Sequence, residues 1–351
     1  MERKMRLDGK RVLITGGTGS LGQQIVRRLL GGEMGTPERI VVFSRDEAKQ
    51  HYMRLSYLHR QEATDEIIYE NFEHSLRFRI GDVRDYSSVL QAVREADVII
   101  HAAALKQVPS CEYFPFQAVQ TNILGAHNLV RSIRENGTSV NAVVGISTDK
   151  ACKPINVMGM TKSIMERVLV EANLDCPDTR FVCVRYGNVI ASRGSVVPLF
   201  LDQIQNNGPV TVTMAEMTRF LLSLDQAVDT VFAALGEALP GETFIPKVAS
   251  ARVIDLAKVL INGRNIAIEL VGIRPGEKIH EIMVSEEECY RTVGRGDYYV
   301  IRPMLPELQL SVGSEPALDG AYSSARVTLD HAGLRQLLAP YLADEVIGVA
   351  A

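Results

Sequence analysis

The stretch that decides the fold is Thr15-Gly16-Gly17-Thr18-Gly19-Ser20-Leu21-Gly22. An apolar run from Arg11 to Ile14 comes directly before it, and a helical pattern from about Leu21 to Leu30 follows. Glycines at this spacing allow a tight turn, close approach of the backbone to a pyrophosphate, and close contact between helix and strand. The spacing GxxGxxG also fits a plain connecting turn. Its position after a first strand nevertheless predicts a dinucleotide-binding turn formed by Gly16, Thr18, Gly19, Ser20, Leu21 and Gly22.

Outward from this turn, short apolar runs alternate with helical patterns. Strands are predicted at 39–43, 77–80, 98–101, 142–147 and 181–186, and helices at 46–60, 87–95, 118–136 and about 154–171. The alternation predicts an α/β fold, a Rossmann-like doubly wound parallel sheet with helices on both faces. The pattern weakens after Gly187, which indicates a smaller mixed C-terminal lobe. We expect a cofactor-binding domain over 1–187, with a returning segment near 222–246, and a substrate-binding lobe with a C-terminal appendage over 188–351.

The composition is that of an ordinary globular protein. Of 351 residues, 46% are hydrophobic and 23% charged, and the net charge of -4 favours neither nucleic acid nor an anionic membrane as a partner. The five cysteines are odd in number and form no CxxC pair, which indicates free thiols in a reducing compartment. The start lacks a signal-peptide pattern, and no apolar run reaches the roughly 20 residues of a membrane helix. We therefore expect a cytoplasmic location.

The end of the second strand bears on the choice of cofactor. It reads Ser44-Arg45-Asp46, and Lys49 lies one helical turn beyond Arg45. Cations at this position suit the 2'-phosphate of NADP, whereas a lone acid suits the ribose of NAD. We expect NADP; the alternative is that Arg45 and Lys49 are solvated and Asp46 holds NAD. Other expected cofactor contacts follow the third and fourth strands, at Asp82, Val83, Ala102, Ala103 and Ala104.

A polar group follows the fifth strand. Thr148, Asp149 and Lys150 stand at its carboxyl end, the edge where ligands bind in this architecture. Met158 and Lys162 come shortly after and, being four residues apart, share one helix face. The pattern favours a catalytic site here over a surface ion pair in a loop. The histidines show no metal-binding spacing, so no metal is expected.

These pieces, with others along the chain, carry a family resemblance. They are TGGTGSLG (15–22), FSRDEAKQ (43–50), GDVRD (81–85), HAAALKQVPSCEYFPFQAVQTN (101–122), STDKACKPINVMGMTK (147–162), RYGNVIASRGSVVP (185–198), MTRFLLSLDQAV (217–228) and IRPGEKIHE (273–281). Together they resemble the UDP-N-acetylglucosamine 4,6-dehydratases of bacterial surface-glycan biosynthesis, within the extended short-chain dehydrogenase/reductase superfamily. The superfamily motif is YxxxK, and Met158 stands here at the tyrosine position.

The resemblance implies a mechanism. The sugar is oxidised at C4, Lys150 removes the C5 proton, Asp149 protonates the departing C6 hydroxyl, and hydride returns to C6. Burial is expected to lower the pKa of Lys150 so that it can act as a base. Lys162 is expected to bridge the nicotinamide ribose hydroxyls. Met158 has no proton to transfer, so Thr148, alone or through a water, must polarise the C4 hydroxyl. Inversion at C5 and the nucleotide, UDP or GDP, stay open.

The resemblance also implies a substrate site in the C-terminal lobe. Asn188 is expected to contact the nucleotide diphosphate, and arginine forks suit paired phosphate oxygens. Lys106 is expected to reach the cofactor or the sugar. The expected substrate contacts are Lys106, Asn188, Arg193, Ser195, Val197, Arg219, Arg274 and Glu277, and the remaining cofactor contacts are Tyr186, Gly187 and Val189.

Three other functions fit parts of the sequence. A nucleotide-sugar 4-epimerase shares the fold and the C4 oxidation but does not need the Asp149-Lys150 pair, and a 5,6-dehydratase would stop at the alkene. A non-catalytic NADP-binding protein would treat Met158 as a lost catalytic residue. The expected partners are UDP-N-acetylglucosamine or a close nucleotide sugar, and a second copy of the chain docked through the helices at 87–95, 118–136 and 157–171.

Overall fold

A nine-stranded sheet forms the centre of the described chain. The structure is a computed structural model and describes residues 6–58, 74–137, 139–190, 195–309, 315–326 and 328–343. The first six strands are β1 (Arg11–Thr15), β2 (Arg39–Ser44), β3 (Leu76–Ile80), β4 (Val98–His101), β5 (Ala142–Ile146) and β6 (Arg180–Val184). All six strands are parallel, in the order β3-β2-β1-β4-β5-β6. The chain adds β2 and β3 on one side of β1 and then returns to add β4, β5 and β6 on the other side. The predicted Rossmann-like sheet is confirmed, and its switch point lies at the carboxyl end of β1.

Helices cover both faces of this sheet. In chain order they are α1 (Ser20–Leu30), α2 (Glu47–Leu58), α3 (Tyr86–Val93), α4 (Val108–Tyr113), α5 (Pro115–Ala118), α6 (Gly125–Asn136) and α7 (Val157–Asp175). Neighbouring strand residues enter opposite cores: Val12 and Ile14 pack on the side of α1, and Leu13 packs on the side of α3 and α6. Burial on both faces explains why the strands are almost continuously apolar rather than alternating.

The predicted helix at 118–136 is helical throughout but not uniformly α. Residues Val119–Leu124 form a π-helical segment between α5 and α6. Within it Asn122 is fully buried; its amide oxygen accepts from Leu105 N at 2.8 Å, and its amide nitrogen donates to Thr161 Oγ1 at 2.9 Å. π segments often occur at functional sites. Here the segment brings one side chain into contact with both the loop after β4 and helix α7.

The second half of the chain enters both lobes. Its strands are β7 (Asn188–Val189), β8 (Val210–Val212), β9 (Thr218–Leu222), β10 (Thr243–Pro246), β11 (Ser250–Arg252), β12 (Ile268–Leu270), β13 (Ile282–Val284), β14 (Thr292–Arg295), β15 (Tyr298–Ile301) and β16 (Tyr322–Ser323). Strand β10, inside the segment expected to return, pairs parallel with β6, and the hairpin of β14 and β15 extends the sheet. The other strands form small sheets: β11-β9-β7, β12-β8 and β13-β16. The small mixed C-terminal lobe is confirmed, and the boundary at residue 187 stays a prediction.

The second half also adds helices to both lobes. They are α8 (Val196–Gln205), α9 (Leu224–Glu237), α10 (Val253–Ile261), α11 (Glu286–Cys289) and α12 (His331–Ala343). Helix α9 begins with a capping box, in which Ser223 and Gln226 bond to each other's main-chain N–H groups. It packs beside α1 against the large sheet, whereas α8 and α10 enclose the core of the small lobe.

A buried ion cluster joins the two lobes behind the sheet edge. Arg185, directly after β6, bonds with two nitrogens to Glu166 on α7 and with two to Glu288 on α11. The side chains are 3%, 6% and 11% exposed. Burial opposes ionisation of Glu288, but the charge of Arg185 prevails and lowers the Glu288 pKa to about 2. The cluster fixes α7, which carries Lys162, against the C-terminal lobe.

Candidate active site

The glycine-rich turn fits a pyrophosphate. Gly16 has a φ of +68°, and a Cβ there would lie 2.8 Å from Ala103 N. A Cβ on Gly22 would lie 2.5 Å from Gly17 Cα, so α1 could not pack as closely on the turn. Helix α1 starts after Gly19 without a side-chain cap, which leaves the N–H groups of its first turn for an anion. Thr18 lies in this turn, and Ser20 and Leu21 begin α1; their contact with a cofactor stays a prediction.

The groups expected to choose between NADP and NAD lie together beside β2. Ser44 Oγ is 2.9 Å from Thr18 Oγ1. Lys49 Nζ pairs with Asp46 at 2.5 Å, and Arg45 Nη1 lies 3.9 Å from Asp82. Each of these cations thus stands next to an acid, and Asp82 also pairs with Arg84 at 2.6 Å.

The loop after β4 brings the expected small side chains to the turn. Ala103 N donates to Thr15 Oγ1 at 3.3 Å, and Ala102 and Ala104 flank this contact. Val83 is buried in the core beside α3, so only its main chain can reach a cofactor. Lys106 is exposed overall, and partial desolvation of its ammonium group lowers its pKa.

The three residues after Ser147 form the catalytic candidate. They follow β5, and Asp149 to Ala151 make one 3₁₀ turn. Asp149 is fully buried; its Oδ1 accepts from Thr148 Oγ1 at 2.9 Å and from Lys150 Nζ at 3.0 Å. Lys150 Nζ also lies 3.3 Å from Glu281 Oε1, and its side chain is 22% exposed. The predicted trio is therefore assembled, and its lysine sits between two buried carboxylates.

The expected direction of the Lys150 pKa was wrong. Burial does act to lower it, but the charges of Asp149 and Glu281 prevail and raise the pKa above its ordinary value. Lys150 is therefore held protonated in the absence of a ligand. Burial can be expected from the position of Lys150 at a strand end, but nothing near Lys150 in the sequence points to Glu281.

Met158 and Lys162 lie on α7, both buried. Met158 is 5% exposed and packs in an apolar cluster with Cys111 and Ala118. Lys162 Nζ lies 2.9 Å from Met165 Sδ, and burial lowers the Lys162 pKa to about 8. Position 158 has no hydroxyl, and the hydroxyls directly after β5 are those of Ser147 and Thr148.

The substrate residues are distributed unevenly. Four of the expected residues follow β6 and continue the edge: Tyr186, Gly187, Asn188 and Val189. Val197 is only 1% exposed and lies in the core of the small lobe, so its side chain cannot reach a ligand. Arg193 lies outside the described residues. The others surround the edge from the C-terminal lobe: Ser195 before α8, Arg219 on β9, and Arg274 and Glu277 in the turn before β13. Arg219 bonds to the carbonyls of Thr218 and Ile279, and Arg274 is exposed.

Buried polar atoms without a partner in the described chain mark the same edge. They include oxygens that a bound ligand could satisfy: Ser147 Oγ, Asp149 Oδ2, Asn188 Oδ1, Ser195 Oγ, Glu277 Oε2 and Glu281 Oε2. Unpaired buried polar atoms are uncommon in folded proteins. Their concentration here indicates a binding site for a polar molecule.

Some residues of the site were not assigned from the sequence. His101 is fully buried, its Nδ1 lies 2.9 Å from Thr15 Oγ1, and burial together with Lys162 lowers its pKa to about 3. Asn122 and Glu281 also belong to the site. Both stood inside motifs quoted above, but only their three-dimensional contacts reveal a role.

Metal ligands, disulfides and membrane-spanning helices are absent from the described residues. These residues contain no group of His, Cys, Asp and Glu that could hold a metal ion. The five cysteines are buried and free. No helix combines the length and apolar character needed to cross a membrane.

Comparisons with known proteins place this geometry in context. The polysaccharide biosynthesis protein family matches residues 12–303. A UDP-glucose 4-epimerase of Rickettsia bellii is 43% identical over 298 residues, 83% of this chain and 82% of that protein. An uncharacterized membrane protein of Methanocaldococcus jannaschii is 42% identical over 305 residues, 84% of this chain and 86% of that protein.

Two solved structures share the fold. Pen from Bacillus thuringiensis is 34% identical, with a TM-score of 0.84 over 96% of this chain and 99% of that one. A dTDP-glucose 4,6-dehydratase of Streptomyces venezuelae, solved with NAD, is 20% identical, with a TM-score of 0.64 over 77% of this chain and 86% of that one. At this lower identity the likeness shows the fold alone.

Proposed function

The chain belongs to the polysaccharide biosynthesis protein family, in the extended short-chain dehydrogenase/reductase superfamily, and from this premise we propose that it is a nucleotide-sugar 4,6-dehydratase. It is an enzyme of the nucleotide-sugar epimerase and dehydratase class with an NAD(P)-binding fold. The proposed reaction converts UDP-N-acetylglucosamine to a UDP-4-keto-6-deoxy-N-acetylhexosamine for surface-glycan synthesis. The observation that best supports this proposal is the buried Asp149–Lys150 ion pair at the sheet edge.

An acid and a base on adjacent residues suit elimination across C5 and C6. In the resting site Asp149 is a carboxylate and Lys150 an ammonium, the opposite of what elimination needs. Transfer of one proton from Lys150 Nζ to Asp149 Oδ1, which lie 3.0 Å apart, makes the base and the acid together. Lys150 then takes the C5 proton, and Asp149 gives its proton to the departing C6 hydroxyl, which leaves as water. Both residues return to their resting charges.

The chain's other residues bind and orient. The turn at 16–22 would hold the cofactor pyrophosphate, and Lys162 would hold the nicotinamide ribose. When bound, the nicotinamide supplies the reversible oxidation that the C4 ketone requires. Thr148 Oγ1 donates to Asp149 and accepts from Lys150 N at 3.4 Å, which leaves one lone pair to accept a hydrogen bond from the C4 hydroxyl. The proton released from that hydroxyl would leave through a water held by Thr148 and Asp149.

A 4-epimerase is the second candidate, and the names of several relatives favour it. UDP-glucose 4-epimerases of Rickettsia species are 41–43% identical to this chain. Epimerisation needs the C4 oxidation but no acid–base pair for C5 and C6. The Asp149–Lys150 pair therefore favours dehydration, and the names favour epimerisation.

One experiment separates the two. The purified protein is incubated with NADP and either UDP-N-acetylglucosamine or UDP-glucose in D₂O, and products are followed by NMR. Dehydration gives a C6 methyl group, a C4 ketone and deuterium at C5. Epimerisation gives the C4 epimer with the C6 hydroxyl and the C5 proton retained, and this result would overturn the proposal. A C5–C6 alkene would indicate a 5,6-dehydratase.

NADP is the proposed cofactor, and Arg45→Ala tests it. We expect the variant to lose more affinity for NADP than for NAD, because only NADP has the 2'-phosphate that Arg45 would bind. Binding is measured by calorimetry with each cofactor. Arg54→Ala changes an exposed arginine on helix α2, which begins two residues after Arg45; it is the matched control and should change neither affinity. Equal losses for both cofactors with Arg45→Ala would contradict the assignment.

Thr148 and Met158 are proposed to divide the work at C4. Thr148→Val keeps the shape but removes the hydroxyl, and we expect C4 oxidation to slow by about 10²-fold. Met158→Leu should keep most activity, because the volumes are similar and Met158 packs only in an apolar cluster. Single-turnover reduction of NADP, followed optically, measures both. If Met158→Leu is inactive and Thr148→Val is nearly normal, the roles proposed for these two residues are wrong.

Self-association stays part of the proposal. Exposed apolar side chains lie on the helices expected to form the interface, Leu124 in the π segment and Met160 and Ile164 on α7. A monomeric mass in solution would contradict self-association.

The proposed site of action of the enzyme is the cytoplasm.

A further inference from the structure

The C-terminal lobe contributes an anion to the centre of the proposed active site. Glu281 stands directly before β13, and its side chain is 3% exposed. Its main chain is bonded to Ser324 in both directions: Glu281 N donates to Ser324 Oγ at 2.9 Å, and its carbonyl accepts from Ser324 N at 2.8 Å. The carboxylate is therefore held by β13 and the segment around β16, on a different part of the chain from β5.

Lys150 is the cation nearest to this anion in the described chain. Nζ of Lys150 lies 3.3 Å from Glu281 Oε1, whereas Arg219 Nε lies 3.9 Å away. Arg219 donates through Nη1 to two carbonyls, and Lys278 donates to Cys152 O at 2.6 Å. Both of these cations have main-chain partners of their own.

The charges that face Lys150 come from every element around it. Asp149 lies on its own turn, Glu281 before β13, Arg219 on β9 and Lys278 in the loop before β13. Asp149 and Glu281 raise the Lys150 pKa, while burial and Arg219 lower it. The second oxygens of both carboxylates, Asp149 Oδ2 and Glu281 Oε2, have no partner in the part of the chain described. The lysine is thus the link between two otherwise under-satisfied anions.

We propose that Glu281 is a positioning residue for Lys150, which holds the amino group between two anions and sets the pH at which that group loses its proton. The inference rests on the proposed catalytic role of Lys150. When the Lys150 proton passes to Asp149 Oδ1, Asp149 becomes neutral and Glu281 is the remaining anion beside the amine. Nζ then donates to Glu281 Oε1, and this bond orients the nitrogen lone pair that accepts the C5 proton.

Direct titration of Lys150 tests the proposal without relying on catalysis. Protein labelled with ¹³Cε-lysine is titrated by NMR, and the Lys150 signal is assigned by its loss in Lys150→Met. In Glu281→Gln the midpoint is expected to fall by about 1 to 3 pH units, the usual effect of removing one adjacent opposite charge. Glu287→Gln, an exposed glutamate of α11, should leave the midpoint unchanged. The limb of the kcat–pH profile that reports Lys150 should move in the same direction, with KM little changed.

The possible outcomes separate the inference from the proposed function. An unchanged Lys150 midpoint in folded Glu281→Gln overturns the inference. Full activity of Lys150→Met overturns the proposed function, and the titration still decides what Glu281 does. If Glu281→Gln does not fold, Glu281→Asp withdraws the carboxylate by one methylene and should lower the midpoint by a smaller amount; an unchanged midpoint in that variant also counts against the inference.

Discussion

Lys150→Met should all but abolish dehydration while the protein still binds its nucleotide sugar. Methionine keeps the length of the side chain but cannot accept the C5 proton or supply the proton that Asp149 passes to the C6 hydroxyl. We expect kcat to fall by about 10⁴-fold, the upper end of what a positioned acid or base contributes. Product formation is measured by NMR and nucleotide-sugar binding by calorimetry.

Exchange at C5 isolates the step that Lys150 performs. In D₂O the variant should leave the C5 proton in place, even where C4 is oxidised. Lys153→Met is the matched control, because Lys153 is close in sequence but forms an exposed ion pair with Glu286. This variant should exchange the C5 proton of the substrate at the rate of the unaltered protein. Exchange at the normal rate in Lys150→Met would show that another group is the base.

Arg185→Met is expected to cause the largest loss of stability. The substitution leaves Glu166 and Glu288 buried without their shared cation. Removing one partner of a buried ion cluster costs about 3–5 kcal/mol of unfolding free energy. Urea unfolding followed by circular dichroism measures the change. Arg131→Met breaks the exposed Arg131–Glu135 pair and should cost no more than about 1 kcal/mol.

The same cluster predicts how stability depends on pH. Glu288 has a folded-state pKa of about 2 against an ordinary value of 4.5. A lowered pKa stabilises the fold above the ordinary value, and the contribution is lost as pH falls from about 4.5 to about 2. Glu288→Gln retains a capping side chain for α11 but should lose this acid dependence. The free energy of unfolding is measured against pH for the unaltered protein and for Glu288→Gln. If it falls equally steeply in both between pH 4.5 and pH 2, the role of Glu288 is contradicted.

The alternation of strands and helices was enough to predict the parallel sheet, because each of the strands β1 to β5 is followed by a helix before the next strand of the sheet. The hairpin of β14 and β15 was missed, because each strand has only four residues and the strand that joins the hairpin to the sheet, β10, lies far earlier in the chain. A local pattern cannot reveal such partners.

The same limit applies to the site. Thr148, Asp149 and Lys150 are neighbours in sequence, and the sheet edge could be expected to present them together. Glu281 and Asn122 act through contacts with distant residues, so their motifs gave no role. The Lys150 pKa was wrong for this reason: burial can be anticipated from a strand end, but an anion from another lobe cannot.

The Arg185 cluster has a consequence for synthesis of the chain. Glu166 is 19 positions from Arg185, whereas Glu288 is 103 positions away and is made later. While the nascent chain ends before Glu288, the guanidinium has only one of its two anionic partners. We therefore expect helix α7 to reach its final position only after α11 has been synthesised, so that the cofactor-binding half produced alone would lack this packing.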